Sequence, residues 1–368
     1  MQLQASLTKP DFYHWLKQAQ VPLPQNAEHY GLALVLGGME LSMQQLVQLY
    51  AMLGNGGNWQ ELQWFADIKV QQARPVLTPE AAFLTLDMLR QHPKPQSVLL
   101  QQLTDTVPVA WKTGTSYAFR DAWAIALRGD YVLAVWLGNF DGSSNPNLIG
   151  RSAAGPLLFE LLALLPQQTE AETALFTPAA ELNVKKVALC SRSGDLPNKY
   201  CPHTREGWFI PGVSPIRMSD VHRAVPVYRA TGLRACQHQP PQTELKVYEF
   251  WPSDIAAAFS QAGMILSSAP PYQQSCSGVP MLSVQAPQIR SPQPSLVYQL
   301  GKTLQQRQIA LQASFDGAVT KAHWFIDNRY LGAVTPGETL LWQGEAGAFE
   351  LKVVDDLGGV SSQKLITE

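Results

Sequence analysis

The chain is 368 residues long, with 46% hydrophobic and 15% charged residues and a net charge of −2. That length allows two or three domains with a sizeable core, and the balance excludes a disordered chain. No basic stripe is present, which excludes a nucleic-acid partner, and the longest apolar runs, 157–165 and 31–38, are too short to cross a bilayer.

Thr8 predicts the cap of a short helix over 10–19, with Pro10 in the first helical position and Phe12, Trp15, Leu16 and Ala19 on its apolar face. A second helix starts at Ser42. Ser42 and Gln45 have capping-box spacing, Leu46, Leu49, Tyr50 and Leu53 form the stripe, and Gly54, Gly56 and Gly57 end it. Thr78-Pro79-Glu80 opens a third helix, with Phe83, Leu86 and Leu89 or Arg90 directed outward. Three strands follow as a meander at about 108–115, 121–128 and 131–139, the last two joined tightly at Gly129-Asp130. Both are apolar almost throughout, which predicts helices over both faces, and 153–165 reads as one such helix. From 166 to about 275 periodicity is weak, with short strands at 184–189 and 246–250 among Pro-rich turns. In the last ninety or so residues, apolar segments at 296–300, 308–314, 321–326, 338–342 and 348–354 are punctuated by turns at Asp327-Asn328 and 355–359. That spacing predicts a small antiparallel sandwich of immunoglobulin-like kind. The fold class is α+β, with domains at 1–166, 167–279 and 280–368.

Four cysteines, Cys190, Cys201, Cys236 and Cys276, lie in the middle region. Cys190 and Cys201 flank the turn-rich SRSGDLPNKY, a spacing that suits a local disulfide, and Cys236 and Cys276 would close a longer loop. Each bridge would contribute about 2–4 kcal/mol and would place the chain in an oxidising compartment. His203, His222 and His238 offer a rival zinc reading, but no Cys-x-x-Cys knuckle occurs, and neither a metal nor a cofactor is expected.

The stretch WKTGTS (111–116) carries the chemistry. A strand-borne Lys-Thr-Gly suits serine acyl transfer at peptide carboxyl ends. Lys112 would steer a substrate carboxylate and assist proton traffic. Gly114 would let substrate backbone lie against the strand edge. The Thr115 N–H would form half of an oxyanion hole, with its hydroxyl on the carboxylate, and docking would proceed by strand addition. Three letters alone describe countless strand ends, so the surroundings decide.

The run WKTGTSYAFRDAWAIALRGDYVLAVWLGNFDG resembles the Lys-Thr-Gly strand and following hairpin of penicillin-binding transpeptidases. GLALVLGGMELSMQQLVQLYAMLGNGG is similar to the segment between that family's second and third motifs, and SAAGPLLFELL to its closing helix. TREGWFIPGVSPI, the cysteines and a terminal sandwich narrow the resemblance to the class A, bifunctional penicillin-binding proteins. The resemblance implies a peptidoglycan synthase with D,D-transpeptidase chemistry, acting through an acyl-enzyme at the periplasmic face of the inner membrane. It also implies stem peptides and β-lactams as ligands, cell-wall synthase partners, and substrate binding by Lys112, Thr113, Gly114 and Thr115.

The family also uses Ser-x-x-Lys and Ser-x-Asn, in that order before Lys-Thr-Gly. Ser6-Leu7-Thr8-Lys9 matches the first only literally, since Pro10 follows and the room before Gly31 cannot hold a Ser-x-Asn hairpin. Ser361-Ser362-Gln363-Lys364 and Ser143-Ser144-Asn145 match out of order. The register therefore predicts that Met1 falls just past Ser-x-Asn. The glycosyltransferase domain, nucleophile, membrane anchor and first two sheet strands would then be missing, leaving 131–139 an apolar edge and the chain inactive alone. No export signal is visible in MQLQASLTKPDF either. Arg120-Asp121 reads as an ion pair at a strand start, and Asp141 lacks a partner for acid–base work. Trp208, Phe209, Trp324, Tyr330 and Trp342 read chiefly as core, with contact to wall glycan as the alternative. The competing function is a non-enzymatic periplasmic module that binds wall glycan or synthase partners.

Overall fold

A computed structural model of the chain describes residues 3–4, 7, 10–65, 72–95, 108–166, 169–178, 180–273, 286–294, 296–303, 305–317 and 319–368. The chain divides into two units, Met1–Lys186 with Trp208–Ser214 and Val187–Gly207 with Pro215–Glu368.

In the first unit, α1 (Phe12–Gln18) is capped by Asp11, whose side chain accepts from the His14 N–H. Expectation placed the cap at Thr8, which lies outside the described residues; Asp11 is itself a strong capping residue and sits one step before the helical turn. The buried face is Tyr13, Leu16 and Ala19, rotated by one residue from the expected stripe, with Phe12 and Trp15 only partly covered. The helix α2 (Met43–Gly54) has the expected capping box in full: Ser42 Oγ accepts from Gln45 N–H at 3.2 Å, and Gln45 Oε1 accepts from Ser42 N–H at 2.8 Å. Likewise α3 (Pro79–Arg90) has Thr78 as cap and Pro79 in its first turn. Its Phe83 and Leu86 are buried, not directed outward: Leu86 packs on Ala110 and Leu127 of the sheet, and Phe83 meets the Trp208 ring edge-on at 5.1 Å.

The meander forms as β1 (Ala110–Thr115), β2 (Asp121–Arg128) and β3 (Tyr131–Gly138), with β2 central and antiparallel to both. Period-two alternation sends Ala122, Ala124 and Ala126 to one face of β2. These small side chains let α4 (Gly155–Ala163) approach, so Leu158, Phe159 and Leu162 pack on them beside Trp111. Burying each of these large side chains contributes about 1.5–3 kcal/mol. Trp111 meets Phe159 edge-on, with ring centroids 5.0 Å apart. On the opposite face Leu127 and Ala110 pack with Leu86, Tyr50 and Leu53 of the other helices. A single turn of wider helix, Gly150–Ala154, precedes α4, so the regular helix starts two residues later than expected. Among the described residues β3 pairs only with β2, and of its residues only Val135 is fully buried. The helix α5 (Thr169–Ala174) brings Glu172 to Arg128 at the end of β2.

The middle region contains a two-stranded ribbon of β4 (Lys185–Cys190) and β5 (Thr204–Phe209), and a second of β6 (His222–Tyr228) and β7 (Thr243–Glu249). Strands β5 and β6 escaped the sequence reading, because Thr204–Phe209 and His222–Tyr228 break apolar alternation with Arg205, Glu206, Gly207, Arg223 and Pro226. Cys190 and Cys201 are joined by a disulfide with Cα atoms 6.0 Å apart. Cys236 is also disulfide-bonded, whereas Cys276 lies outside the described residues.

At the C-terminal end a three-stranded sheet and a five-stranded sheet share one core. The first orders β8 (Gln288–Ser291), β10 (Gln308–Ser314) and β13 (Leu340–Gln343). The second orders β9 (Val297–Tyr298), β15 (Val360–Thr367), β14 (Gly347–Asp355), β11 (Ala322–Ile326) and β12 (Arg329–Val334). Ile309, Leu311 and Trp342 from one sheet meet Trp324, Ile326, Leu351, Val353 and Leu365 from the other. The Asp327-Asn328 turn is confirmed, with both residues at positive φ as a two-residue hairpin requires. Strand β9 is shorter than expected and runs parallel to β15, and β8, β12 and β15 were not anticipated.

Candidate functional site

Strand β1 presents Lys112, Gly114 and Thr115 to solvent while Ala110 and Trp111 are buried. The register sets Lys112 opposite Ile125 and Gly114 opposite Trp123. These residues line a cavity of about 880 Å³, with the loop Gly37–Leu41 and Leu46 and Tyr50 of α2 as further wall. Burial pushes the Tyr50 hydroxyl up to about 12, so it stays a neutral donor at physiological pH. Among the described residues only β2 pairs with β1, so the other edge of the Lys-Thr-Gly strand is open to strand addition.

Lys112 Nζ donates to Thr113 O at 2.7 Å, which folds the ammonium back over the strand. The Thr115 hydroxyl accepts from Gly150 N–H at 2.9 Å and keeps its own proton to donate. A hydroxyl that accepts on one side is polarised to donate on the other, which suits a carboxylate ligand. His92 lies on the buried side of the strand, its ring tilted at 54° with its centroid 4.7 Å from that of Trp111, whose indole N–H donates to His92 O at 3.1 Å. Burial lowers the His92 pKa, and the positive charges of Lys112 and Arg151 lower it further. Three basic side chains thus converge near the strand.

The turn after the motif is strained, with Ala118 and Phe119 both in the left-handed region at φ 58° and 54°. Ser116 steadies it: its Oγ accepts from Asp121 N–H at 2.8 Å, and its N–H donates to Asp121 O at 3.0 Å. Asp121 Oδ1 accepts from Trp136 Nε1 at 2.9 Å, and the ion pair expected with Arg120 is not found among the described residues. The indole satisfies the carboxylate from across the sheet. Asp141 accepts from Ser143 N–H at 2.9 Å and serves a turn.

Sequence reasoning missed Gly150. A Cβ there would stand 2.3 Å from Gly114 O and 2.8 Å from Trp123 O, so only glycine lets the turn before α4 rest on the motif strand. By contrast, a Cβ on Gly114 would meet only Trp123 Cβ at 3.6 Å, an ordinary contact, so the space Gly114 leaves lies on the cleft side. Ser6 and Lys9 lie outside the described residues. Ser361, Ser362 and Lys364 sit on β15 in the other unit. Trp324 and Trp342 belong to the terminal core, while Tyr330 is exposed beside His323 and Phe325, with centroids 5.9 and 5.4 Å away.

The penicillin binding protein transpeptidase domain family matches residues 15–150, which include the residues that line the cavity. The penicillin-binding protein 1A C-terminal domain family matches 181–224, and the penicillin-binding protein C-terminus family matches 278–365. Penicillin-binding protein 1C of Escherichia coli is 23% identical over 348 residues, 92% of this chain and 44% of that protein. Penicillin-binding protein 1A of Clostridium botulinum is 27% identical over 241 residues, 60% of this chain and 28% of that one. A solved structure of penicillin-binding protein 1A from Haemophilus influenzae overlaps 55% of this chain and 36% of its own, at 17% identity and a TM-score of 0.41. The chain spans less than half the length of these curated relatives. With three penicillin-binding-protein families matched in succession, the chain is a relative of the penicillin-binding proteins, and its Lys-Thr-Gly strand lies in the part that matches their transpeptidase domain.

Proposed function

We propose that the first unit forms the carboxylate-binding wall of a D,D-transpeptidase cleft in a peptidoglycan synthase. In this reading Lys112, Thr113, Gly114 and Thr115 hold the carboxyl end of a stem peptide or a β-lactam. The carrying observation is the position of those residues, on an open strand edge along a cavity of about 880 Å³ within the transpeptidase-matching segment. Lys112 neutralises the carboxylate, Thr115 donates to it, and the strand edge aligns the peptide backbone. Acyl transfer also needs a serine and its base. No Ser-x-x-Lys stands ahead of Lys112 in these 368 residues with room for Ser-x-Asn between, so these residues alone bind without reacting. The place of work is the periplasmic face of the inner membrane. No helix among the described residues is long and apolar enough to cross a membrane.

Incubation of the purified chain with a fluorescent penicillin tests this reading. The expected result is no covalent label after denaturing electrophoresis. A label that maps to Ser6 by mass spectrometry would overturn it.

A further inference from the structure

We propose that Cys190, Cys201 and His222 constitute a thiophilic metal site, fitted for Zn²⁺, that opens when the Cys190–Cys201 disulfide is reduced. The two sulfurs and one His222 ring nitrogen all lie within 4.8 Å of one another. Cys190 Sγ is 3.7 Å from His222 Nδ1. Tetrahedral zinc with its usual bond lengths sets sulfur and nitrogen ligands roughly 3.6 Å apart, so that edge of the polyhedron already exists. The sulfurs need only separate to roughly 3.8 Å, which side-chain rotation supplies with the Cα atoms 6.0 Å apart.

An independent observation concerns the far side of the histidine. His222 Nε2 faces Glu249 Oε1 at 3.8 Å, its cross-strand partner in the β6–β7 pairing, and both side chains are almost fully buried. Arg192 Nε holds the same Glu249 oxygen at 3.1 Å. A carboxylate behind Nε2 favours the proton there and leaves the Nδ1 lone pair toward the sulfurs, the arrangement in which zinc-bound histidines are oriented. The disulfide does not use this carboxylate–histidine–sulfur line. Two thiolates and one imidazole leave a fourth position for solvent.

The steps balance. A dithiol reductant attacks at Cys201, the partly exposed sulfur. Its own two sulfurs join, the Cys190–Cys201 bond breaks, and two electrons and two protons pass to the chain as two thiols. Zn²⁺ then takes both sulfurs as thiolates and His222 Nδ1, and two protons leave to solvent.

The full 368-residue chain, oxidised or reduced with a phosphine that is then removed, is titrated with Zn²⁺ against a chromophoric chelator. To isolate this site, the titration is repeated in Cys236→Ser/Cys276→Ser. The reduced chain is expected to take one Zn²⁺ at the site in both backgrounds, and the oxidised chain none. Glu249→Gln should weaken binding by about 10–100-fold, and His222→Gln by at least as much. A reduced Cys236→Ser/Cys276→Ser chain that binds no zinc, or binding equal in oxidised and reduced forms, overturns the proposal. Should His222→Gln fail to fold, melting of the reduced wild-type chain decides: Zn²⁺ must raise its melting temperature, and no shift overturns the site.

Discussion

Gly150 N–H donates to the Thr115 hydroxyl at 2.9 Å, and the same glycine has no room for a Cβ, which would stand 2.3 Å from Gly114 O. The turn before α4 is therefore tied to the motif strand through the Thr115 hydroxyl, and at Gly150 it meets backbone oxygens that cannot yield as a side chain would. Gly150→Ala is expected to cost about 1–3 kcal/mol, the range for overpacking. Gly114→Ala, whose Cβ meets only Trp123 Cβ at 3.6 Å, should cost under about 1 kcal/mol. Urea unfolding followed by tryptophan fluorescence measures both. Equal losses would show that the turn can shift away.

Arg128 and Glu172 form an ion pair at 2.8 Å with side chains only 6% and 8% exposed, and Arg128 also donates to Leu162 O. Removal of one partner leaves a buried charge uncompensated. Glu172→Leu should thus lower stability by about 3–5 kcal/mol, and the double variant Arg128→Met/Glu172→Leu should regain most of that. A double variant no better than the single one would mean that the Arg128–Leu162 bond carries the anchoring.

His92 is pushed toward its neutral form by burial first, then by Lys112 and Arg151. Its folded pKa lies below the ordinary histidine value of about 6.5. Between those two values the unfolded chain binds a proton that the folded chain refuses. Stability is therefore full above about pH 6.5 and falls as the pH drops toward the depressed value. His92→Gln keeps the backbone carbonyl that receives the Trp111 indole and removes the titration. The fall in urea midpoint from pH 7 to pH 5 should be smaller in this variant than in the wild type. Identical falls would assign the acid sensitivity to other groups.

Local chemistry made the helix starts of the first unit legible. Ser42 with Gln45, and Thr78 with the Ala81 N–H, satisfy backbone donors within three residues, while Pro79 has no N–H to satisfy, and the structure uses both caps. The meander was equally plain, since Gly129-Asp130 and two apolar runs leave one pairing. Long-range contacts were not legible. The Gly150–Gly114 approach spans 36 positions, and Asp121 takes the Trp136 indole from a neighbouring strand in place of adjacent Arg120. Strand β15 was missed because Ser361, Ser362, Gln363 and Lys364 dilute its pattern, although it is the longest pairing partner of β14. Cys190 and Cys201 could be paired by spacing, but the approach of His222 to Cys190 spans 32 positions, and only Glu249 opposite it is set by the β6–β7 register. At the candidate site, the motif residues were readable by type, while the cavity beside them depends on how the Gly37–Leu41 loop and α2 face the sheet.

Lys112 is exposed, and among the described residues its one hydrogen bond is to the neighbouring carbonyl, so none of them gives it a structural task on the motif strand. Lys112→Met should leave stability within about 0.5 kcal/mol of the wild type. If the cleft receives a carboxylate, the same variant should weaken a labelled peptide with a free carboxyl end by roughly tenfold, the loss expected for one charge-assisted hydrogen bond. The matching carboxamide peptide should bind wild type and variant alike, because it offers no charge for the ammonium to neutralise. Fluorescence anisotropy of the two peptides measures this at low salt, where screening is weak. Equal losses for acid and amide would reduce Lys112 to a packing role. No loss for either would remove the carboxylate from this cleft.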